Sequence, residues 1–179
     1  GITIMQMDVG LDTGDMLLID REPIAADDTT AKLHDRLAAM GGRLIVGALR
    51  KLAQGQLPAT PQPAEGVTYA AKIAKDEAPL AFMLPAVALL RRIHAFNPFP
   101  GAHASVHDTV LKIWQASLIA AQGKPGDILS ADEQGVVVAC GKDALRLSEL
   151  QKPGGKRLAA AQFLQGFDLQ AGQSFQIPA

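Results

Sequence analysis

The spacing of apolar residues divides the start of the chain into short strands around a polar turn. Residues 2–7 and 16–19 are apolar runs with no internal glycine or proline, which is typical of strands. The turn between them, DVGLDTGD at residues 8–15, contains three aspartates and two glycines. Glycine and aspartate favour turns, so the pattern predicts strand, acidic loop, strand.

Apolar residues then recur at helical spacing. The repeating positions are Leu33, Leu37, Met40 and Leu44. This pattern predicts an amphipathic helix, with N-cap candidates at residues 27–30. Gly41 and Gly42 each cost about 1 kcal/mol relative to alanine inside a helix. We therefore expect a break there and a second helical stretch over residues 43–53, so that the two helices cover the sheet of an α/β domain.

Prolines interrupt the pattern next. Three of them lie within residues 57–66, which predicts an extended linker and a domain boundary. Residues 84–96 return to helical spacing and end at Asn97 and Pro98. We therefore divide the chain into an α/β part at 1–56, a linker at 57–79 and a C-terminal domain at 80–179.

Short apolar runs between glycine-rich turns dominate the C-terminal domain. They predict strands at residues 102–106, 110–120, 127–130, 135–139 and 144–150, and a helix follows at 158–164. Five short strands of this kind suit a small β-barrel.

Composition limits the class of protein. The 48% hydrophobic and 20% charged residues are ordinary for a soluble protein, and 4% aromatic residues imply an aliphatic core. No apolar run approaches the ~18 residues of a membrane span, and no signal peptide is visible, so we expect a cytoplasmic protein without a membrane partner. Cys140 is the only cysteine, which excludes an intrachain disulfide, and we read it as a small buried side chain. The four histidines lack metal-ligand spacing, so we expect no metal.

Charge is distributed unevenly along the chain. Residues 1–65 hold six Lys and Arg against nine Asp and Glu, whereas residues 66–179 hold eleven against nine. A net +2 on the C-terminal part fits an anionic partner without identifying one.

The acidic loop offers candidate chemistry, because carboxylates on a loop fixed by two strands are placed as catalytic residues often are. Solvated turn formers are the commoner role for such aspartates. The sequence MDVGLDTGD at residues 7–15 resembles the signature loop of the methionyl-tRNA formyltransferase family. The resemblance implies that Asp12 is the catalytic aspartate. It also implies that the preceding loop residues, Asp8, Val9, Gly10 and Leu11, border the pterin of 10-formyltetrahydrofolate.

The resemblance extends over nearly the whole chain. It implies the end of a formyltransferase-type Rossmann-like α/β domain, followed by an OB-like barrel. The family's catalytic asparagine, histidine and SLLP folate motif precede this loop, and no such segment precedes Gly1 here. We therefore expect a fragment, acting as a monomer, that is inactive in formyl transfer on its own.

Two basic segments match the family's contacts with initiator methionyl-tRNA. VTYAAKIAKDE at residues 67–77 resembles the connecting segment, which implies that Lys72 and Lys75 lie beside the tRNA acceptor arm. QKPGGKR at residues 151–157 resembles the glycine-lysine turn after the last barrel strand and adds Lys152, Lys156 and Arg157 as phosphate contacts. RRIHAFNPFPGA resembles the entry motif of the C-terminal domain, with Phe99 at a position usually occupied by tryptophan. Without the resemblance, these cations are simply solvated.

Two alternatives remain open on the sequence. One is another folate-dependent formyltransferase, of the nucleotide-sugar or formyltetrahydrofolate dehydrogenase type, which would keep Asp12. The other is a non-enzymatic RNA-binding barrel. The detail of MQMDVGLDTGDM and the lysine-bearing linker favours the tRNA enzyme.

Overall fold

The structure is a computed structural model that describes residues 1–177, and the chain forms two compact units. The first unit is Gly1–Lys72 and the second is Ile73–Ala179. Across the described residues, no helix has both the length and the apolar character needed to cross a membrane.

The first unit is a β-hairpin covered by one helix. Strands β1 (Ile2–Met5) and β2 (Met16–Asp20) pair antiparallel, as the apolar runs predict. Helix α1 (Thr30–Ala53) packs against both strands. It begins after Thr29, whose side chain accepts a hydrogen bond of 3.3 Å from the backbone N–H of Lys32. Such a cap satisfies one of the unpaired N–H groups of the first turn.

The predicted break at Gly41 and Gly42 is wrong, because α1 is continuous over 24 residues. Met40 and Ala48 are buried on either side of the glycine pair and hold both halves of the helix in place. A side chain at position 41 would come within 4.0 Å of Ile2, so Gly41 faces β1. Tertiary packing of this kind outweighs about 1 kcal/mol of local propensity per glycine.

The second unit is a curled antiparallel sheet with two helices. Its elements are a 3₁₀ turn (Lys75–Glu77), α2 (Ala86–Ala95), β3 (His103–Val106), β4 (Thr109–Ile119), β5 (Ile128–Asp132), β6 (Gly135–Ala139), β7 (Ala144–Gln151), β8 (Leu158–Ala159) and α3 (Ala160–Leu164). The strand order is β3-β4-β7-β6-β5, with β8 beside β7. All five predicted strands are confirmed within a few residues. The predicted helix at 158–164 is wrong in its first two residues, which pair with β7 instead.

The edges of this sheet are joined by the segment after α3. The N–H of Phe175 donates to the carbonyl of Gly126 next to β5, and the N–H of Gln176 donates to Ser105 on β3, each at 2.8 Å. The sheet therefore curls around its core instead of lying open. Backbone groups at both edges gain partners, which protects them from pairing with other chains.

The core of the second unit is mainly aliphatic, as the composition predicts. Its largest fully buried side chains include Leu80, Phe82, Leu89, Ile93, Leu111, Ile113, Leu145 and Leu147. Cys140, directly after β6, is buried as expected, and its Sγ donates to the carbonyl of Val138 at 3.6 Å. Burial raises the pKa of this thiol to about 11, so it stays protonated and unreactive at neutral pH.

Candidate active-site loop and basic groove

The acidic loop at residues 8–15 closes tightly at its base. The N–H of Gln6 donates to the carbonyl of Asp15 at 2.9 Å. Gly14 is buried, and a side chain there would overlap the carbonyl oxygen of Gln6. Only glycine fits this close approach of two backbone segments, so the glycine of the sequence motif shapes the loop.

The proline-rich stretch holds the loop from outside. Gln62 Nε2 donates to the carbonyls of Asp12 at 2.8 Å and Gly14 at 2.7 Å. Thr60 pairs with Met16 through two backbone hydrogen bonds of 2.7 and 2.9 Å. Sequence reasoning assigned residues 57–79 to a linker and missed Gln62. Its 50-residue separation from Asp12 leaves no local signal.

Asp12 has a conformation that few non-glycine residues adopt, with φ at 56°. Aspartate tolerates this left-handed region better than most residues, and Gln62 supports the strained peptide. Within residues 1–177, the carboxylate of Asp12 accepts no hydrogen bond and forms no ion pair, and the residue is exposed. The loop therefore holds the backbone of Asp12 in place, while the acceptor sites of its carboxylate are open to a ligand or to a group of another segment.

The proposed folate-contacting residues lie on the exposed arch of the same loop. Asp8 Oδ1 accepts a hydrogen bond of 2.7 Å from the N–H of Val9, which stabilises the turn. Val9 and Leu11 are almost fully exposed, and Gly10 between them is also exposed. Two exposed apolar side chains flanking a glycine offer an apolar edge beside a carboxylate.

A second charged cluster in the first unit is paired internally. The Arg36 guanidinium donates to both carboxylate oxygens of Asp28 and to Glu22, each at 2.6 Å, and to the carbonyl of Pro23 at 3.0 Å. The Asp28 side chain is only 4% exposed. Hydrogen bonds from Arg36 and from the N–H of Ala25 lower its pKa to about 2. This cluster joins the chain before α1 to the helix, and its groups are already occupied.

The basic turn at residues 152–157 is stacked on the neighbouring strand. The guanidinium carbon of Arg157 lies 3.4 Å from the ring centroid of Trp114 on β4. Trp114 Nε1 donates to Gln151 Oε1 at 2.8 Å, and Gln151 Nε2 donates to the carbonyl of Gly155 at 2.7 Å. Lys152, also in this turn, is exposed.

Two adjoining depressions continue this surface. One, of about 420 Å³, is lined by residues that include Lys75, Phe99 and Lys112, and the other, of about 240 Å³, by residues that include Lys112 and Lys152. Both share Lys112 and Val110, so they form one basic groove on the second unit, defined here by these two linings.

Only some of the basic residues predicted from the sequence line the groove. Lys75 and Lys152 line it, and Arg157 stacks beside it, whereas Lys156 is exposed without lining it. Lys72 is the exposed last residue of the first unit. Sequence reasoning missed Lys112 and Trp114. A lysine two positions before the only tryptophan, on one predicted strand, was the available signal.

Metal chemistry has no visible site in the described part of the chain. No group of three or more His, Cys, Asp or Glu side chains lies close enough together there to hold an ion.

Comparison with known families matches both units. The formyl transferase family matches residues 1–49, and the formyl transferase C-terminal domain family matches residues 72–168. The methionyl-tRNA formyltransferase of Ralstonia pickettii is 60% identical over 179 residues, covering 98% of this chain and 55% of the relative. That of Aromatoleum aromaticum is 56% identical, covering 100% of this chain and 57% of the relative. The chain thus spans little more than half the length of these curated relatives.

Solved structures share the fold at low sequence identity. HypX from Aquifex aeolicus, in complex with tetrahydrofolic acid, matches with a TM-score of 0.69 at 18% identity, covering 90% of this chain and 29% of HypX. An N-formyltransferase from Helicobacter canadensis, in complex with folinic acid and dTDP-3-aminofucose, matches with a TM-score of 0.61 at 18% identity, covering 81% and 54%.

Proposed function

This chain belongs to the formyl transferase family, and on that premise we propose that it contributes to the transfer of a formyl group from 10-formyltetrahydrofolate to methionyl-tRNA. The names of relatives at 56 to 60% identity support methionyl-tRNA as the acceptor. The reaction serves translation initiation, which takes place in the cytoplasm. We further propose that the curled sheet of the second unit is an OB-like barrel.

The acceptor amine would attack the formyl carbon in this reaction. A nitrogen–carbon bond forms to the α-amino group of methionyl-tRNA, and the bond from the formyl carbon to N10 of the folate breaks. The tetrahedral intermediate needs a donor for its oxyanion, and a proton must pass from the attacking nitrogen to the leaving one. The family resemblance assigns these tasks to an asparagine and a histidine that precede the loop in the complete enzyme.

Asp12 would orient that histidine or an ordered water and stabilise the positive charge that develops during proton transfer. The observation that carries this proposal is the open carboxylate of Asp12 on a backbone held by Gln62. A catalytic group must be held in its productive geometry by its surroundings, and the two hydrogen bonds from Gln62 support the loop in that way.

Folate would lie against the exposed arch of the loop. Val9 and Leu11 provide apolar contact area for the flat pterin, while Gly10 allows close approach of the backbone. Solved relatives of the same fold have been crystallised with tetrahydrofolic acid and folinic acid, which supports a folate co-substrate.

The tRNA would contact the predicted basic residues. These are Lys72, Lys75, Lys152, Lys156 and Arg157. None of them forms an ion pair within residues 1–177, so each is available to a phosphate. A nucleotide-sugar acceptor is the weaker candidate, because the sugar-bound relative is only 18% identical.

A hybrid enzyme tests the proposal. It joins the part of the Ralstonia pickettii relative that precedes the match to Gly1 of this chain. We expect the hybrid to formylate methionyl-tRNA and the 179-residue chain alone to be inactive. Formylation of a dTDP-amino sugar instead of methionyl-tRNA, or turnover by the isolated chain at the rate of the hybrid, would show that the assignment is wrong.

A further inference from the structure

Trp114 lies beside the basic groove, where Lys112 of the groove and Arg157 of the basic turn both contact its ring, and no acidic group pairs with either cation within residues 1–177. We propose that Trp114 is a positioning residue that holds Arg157 and Lys112 as neighbouring contacts for the phosphate backbone of RNA. The inference rests on the proposed function, since it names where the second unit meets tRNA. It adds Lys112 and Trp114 to the predicted basic residues.

The two cations lie over one ring. The Arg157 guanidinium carbon is 3.4 Å from the Trp114 centroid, and Lys112 Nζ is 5.4 Å from it. Cations in this position are attracted by the electron-rich face of the indole. Stacking restricts the flexible Arg157 side chain before any ligand arrives, so less conformational entropy is lost when a phosphate binds.

The ring itself is held from several sides. Trp114 is only 4% exposed, and its Nε1 donates to Gln151 on the paired strand β7. Asn97 Nδ2 donates to its backbone carbonyl at 3.1 Å. Gln151 also binds the carbonyl of Gly155, so the same hydrogen-bonded group fixes the ring and the turn that carries Arg157. Trp114 therefore couples β4 to the basic turn.

The surrounding groove has the charge of a polyanion site. Lys75, Lys112 and Lys152 line it, and no acidic side chain contributes to either of its two depressions in the described structure. Within residues 1–177, none of these lysines and no atom of Arg157 forms an ion pair. Lys112 and Arg157 lie over the same ring without counter-charges, so they repel one another, and a bound anion relieves that repulsion.

The shape of the groove favours a chain of phosphates with attached bases. Its cations are distributed along adjoining depressions, which suits successive phosphates better than one anion. Phe99, at 56% exposure, and the exposed Val110 add apolar area between the lysines. Aromatic and apolar surface beside cations suits ribose and base contacts in RNA.

The chain carries its own probe for this site, because Trp114 is its only tryptophan. Initiator tRNA transcript is titrated into the 179-residue chain at several salt concentrations between about 50 and 200 mM. Anisotropy of labelled tRNA and emission of Trp114 are measured together. We expect the emission to change with the same midpoint as the anisotropy, and the midpoint to rise steeply with salt.

Variants then separate charge from positioning. The salt slope is the slope of the logarithm of the tRNA binding constant against the logarithm of the salt concentration. Lys112→Gln and Arg157→Gln should each weaken binding and lower the magnitude of this slope by about 1, as expected for loss of one phosphate contact. Trp114→Leu should also lower the slope although it removes no charge, whereas Trp114→Phe, which keeps an aromatic ring, should restore it. A purely structural effect of Trp114 would move the urea midpoint and leave the slope unchanged. If Trp114→Leu does not fold, the two charge variants and the change in Trp114 emission still test whether RNA binds beside Trp114.

Lys124→Gln is the matched control, since Lys124 is exposed and does not line the groove. It should leave the slope nearly unchanged. The inference is overturned if tRNA binds while the Trp114 emission and the salt slopes of the Lys112 and Arg157 variants stay at parental values, and the proposed function survives that result. It is also overturned if vesicles of anionic phosphatidylglycerol change the emission and tRNA does not. Absence of any tRNA binding at low salt would count against the proposed tRNA contacts as well.

Discussion

Two arginines, one in each unit, have opposite surroundings. Arg36 of the first unit donates to two carboxylates and a backbone carbonyl, and its partner Asp28 is nearly buried. Arg157 of the second unit stacks on Trp114 and forms no ion pair among the described residues. The first arginine has its partners within the chain. The second is oriented by its stacking on Trp114 and has no anionic partner within residues 1–177.

The same contrast separates two aspartates of the first unit. Asp28 is hydrogen-bonded by Arg36, whereas the carboxylate of Asp12 has no partner within residues 1–177 although its backbone is held by Gln62. A charge that is paired inside the fold contributes to stability, whereas a charge without a partner on a held backbone is available to a ligand. Measuring stability and function on the same variants separates these two classes of charged residue.

The largest effect is expected for the unpaired aspartate. In the hybrid enzyme, Asp12→Asn should lower kcat by a factor on the order of 10² to 10⁴, because it removes the charge that orients and stabilises the protonated group. Its urea unfolding midpoint should match that of the parent. Asp15→Asn, in the same loop, serves as the control and should lose far less activity. A decrease in kcat below tenfold for Asp12→Asn would show that this aspartate is not the catalytic one.

A smaller loss should follow from releasing the loop. Gln62→Leu removes the donors to the carbonyls of Asp12 and Gly14 without changing any charge. Misplacement of a reacting group by about 1 Å can cost up to about 10² in rate, so we expect kcat to fall by roughly tenfold. Steady-state formylation by the hybrid measures this. Unchanged kcat would mean that Asp12 keeps its position without Gln62.

The unpaired lysines at the junction should affect binding alone. Replacing Lys72 and Lys75 together by alanine should weaken tRNA binding and reduce the salt slope by about 2, since each phosphate contact contributes about 1. Thermal stability should not change, because both side chains are exposed. The Lys124 and Lys142 double alanine variant removes the same charge from exposed positions that do not line the groove. If the Lys72 and Lys75 variant binds tRNA as tightly as the parent at every salt concentration, these two lysines do not contact the tRNA.

The smallest effect is expected for the paired aspartate, as a loss of stability at neutral pH that diminishes in acid. The pKa of Asp28 is about 2 in the fold against an ordinary 3.8, so its contribution to stability is present above pH 3.8 and is lost as the pH falls toward 2. Asp28→Asn should therefore be less stable than the parent at neutral pH, and the difference in urea midpoint should narrow between about pH 4 and pH 2. A constant difference for Asp28→Asn would contradict the assigned pKa.

Local patterns predicted the secondary structure well. Apolar runs bounded by glycine and proline located both strands of the first unit and five strands of the second. The error at Gly41 and Gly42 arose because glycine propensity is a local quantity, while Met40 and Ala48 stabilise the helix through tertiary burial.

The residues of the candidate sites could be predicted only in part from the sequence. Motif resemblance located the acidic loop, because its glycines and aspartates are contiguous in the sequence. The role of Gln62, and the cluster formed by Trp114, Lys112 and Arg157, depend on contacts between segments that are distant in the sequence. One of these is the strand register that places Lys112 opposite Gln151 on β7. No single segment of the sequence contains that register.

A paired comparison of Arg36→Gln with Arg157→Gln most directly tests whether an arginine that is paired inside the fold contributes to stability and an unpaired one contributes to tRNA binding. Both variants remove one positive charge, and the urea midpoint and the salt slope of tRNA binding are measured for each. We predict that Arg36→Gln lowers the midpoint and leaves the slope unchanged, while Arg157→Gln lowers the slope by about 1 and lowers the midpoint far less than Arg36→Gln does. A lower midpoint together with a parental slope for Arg157→Gln would contradict the account.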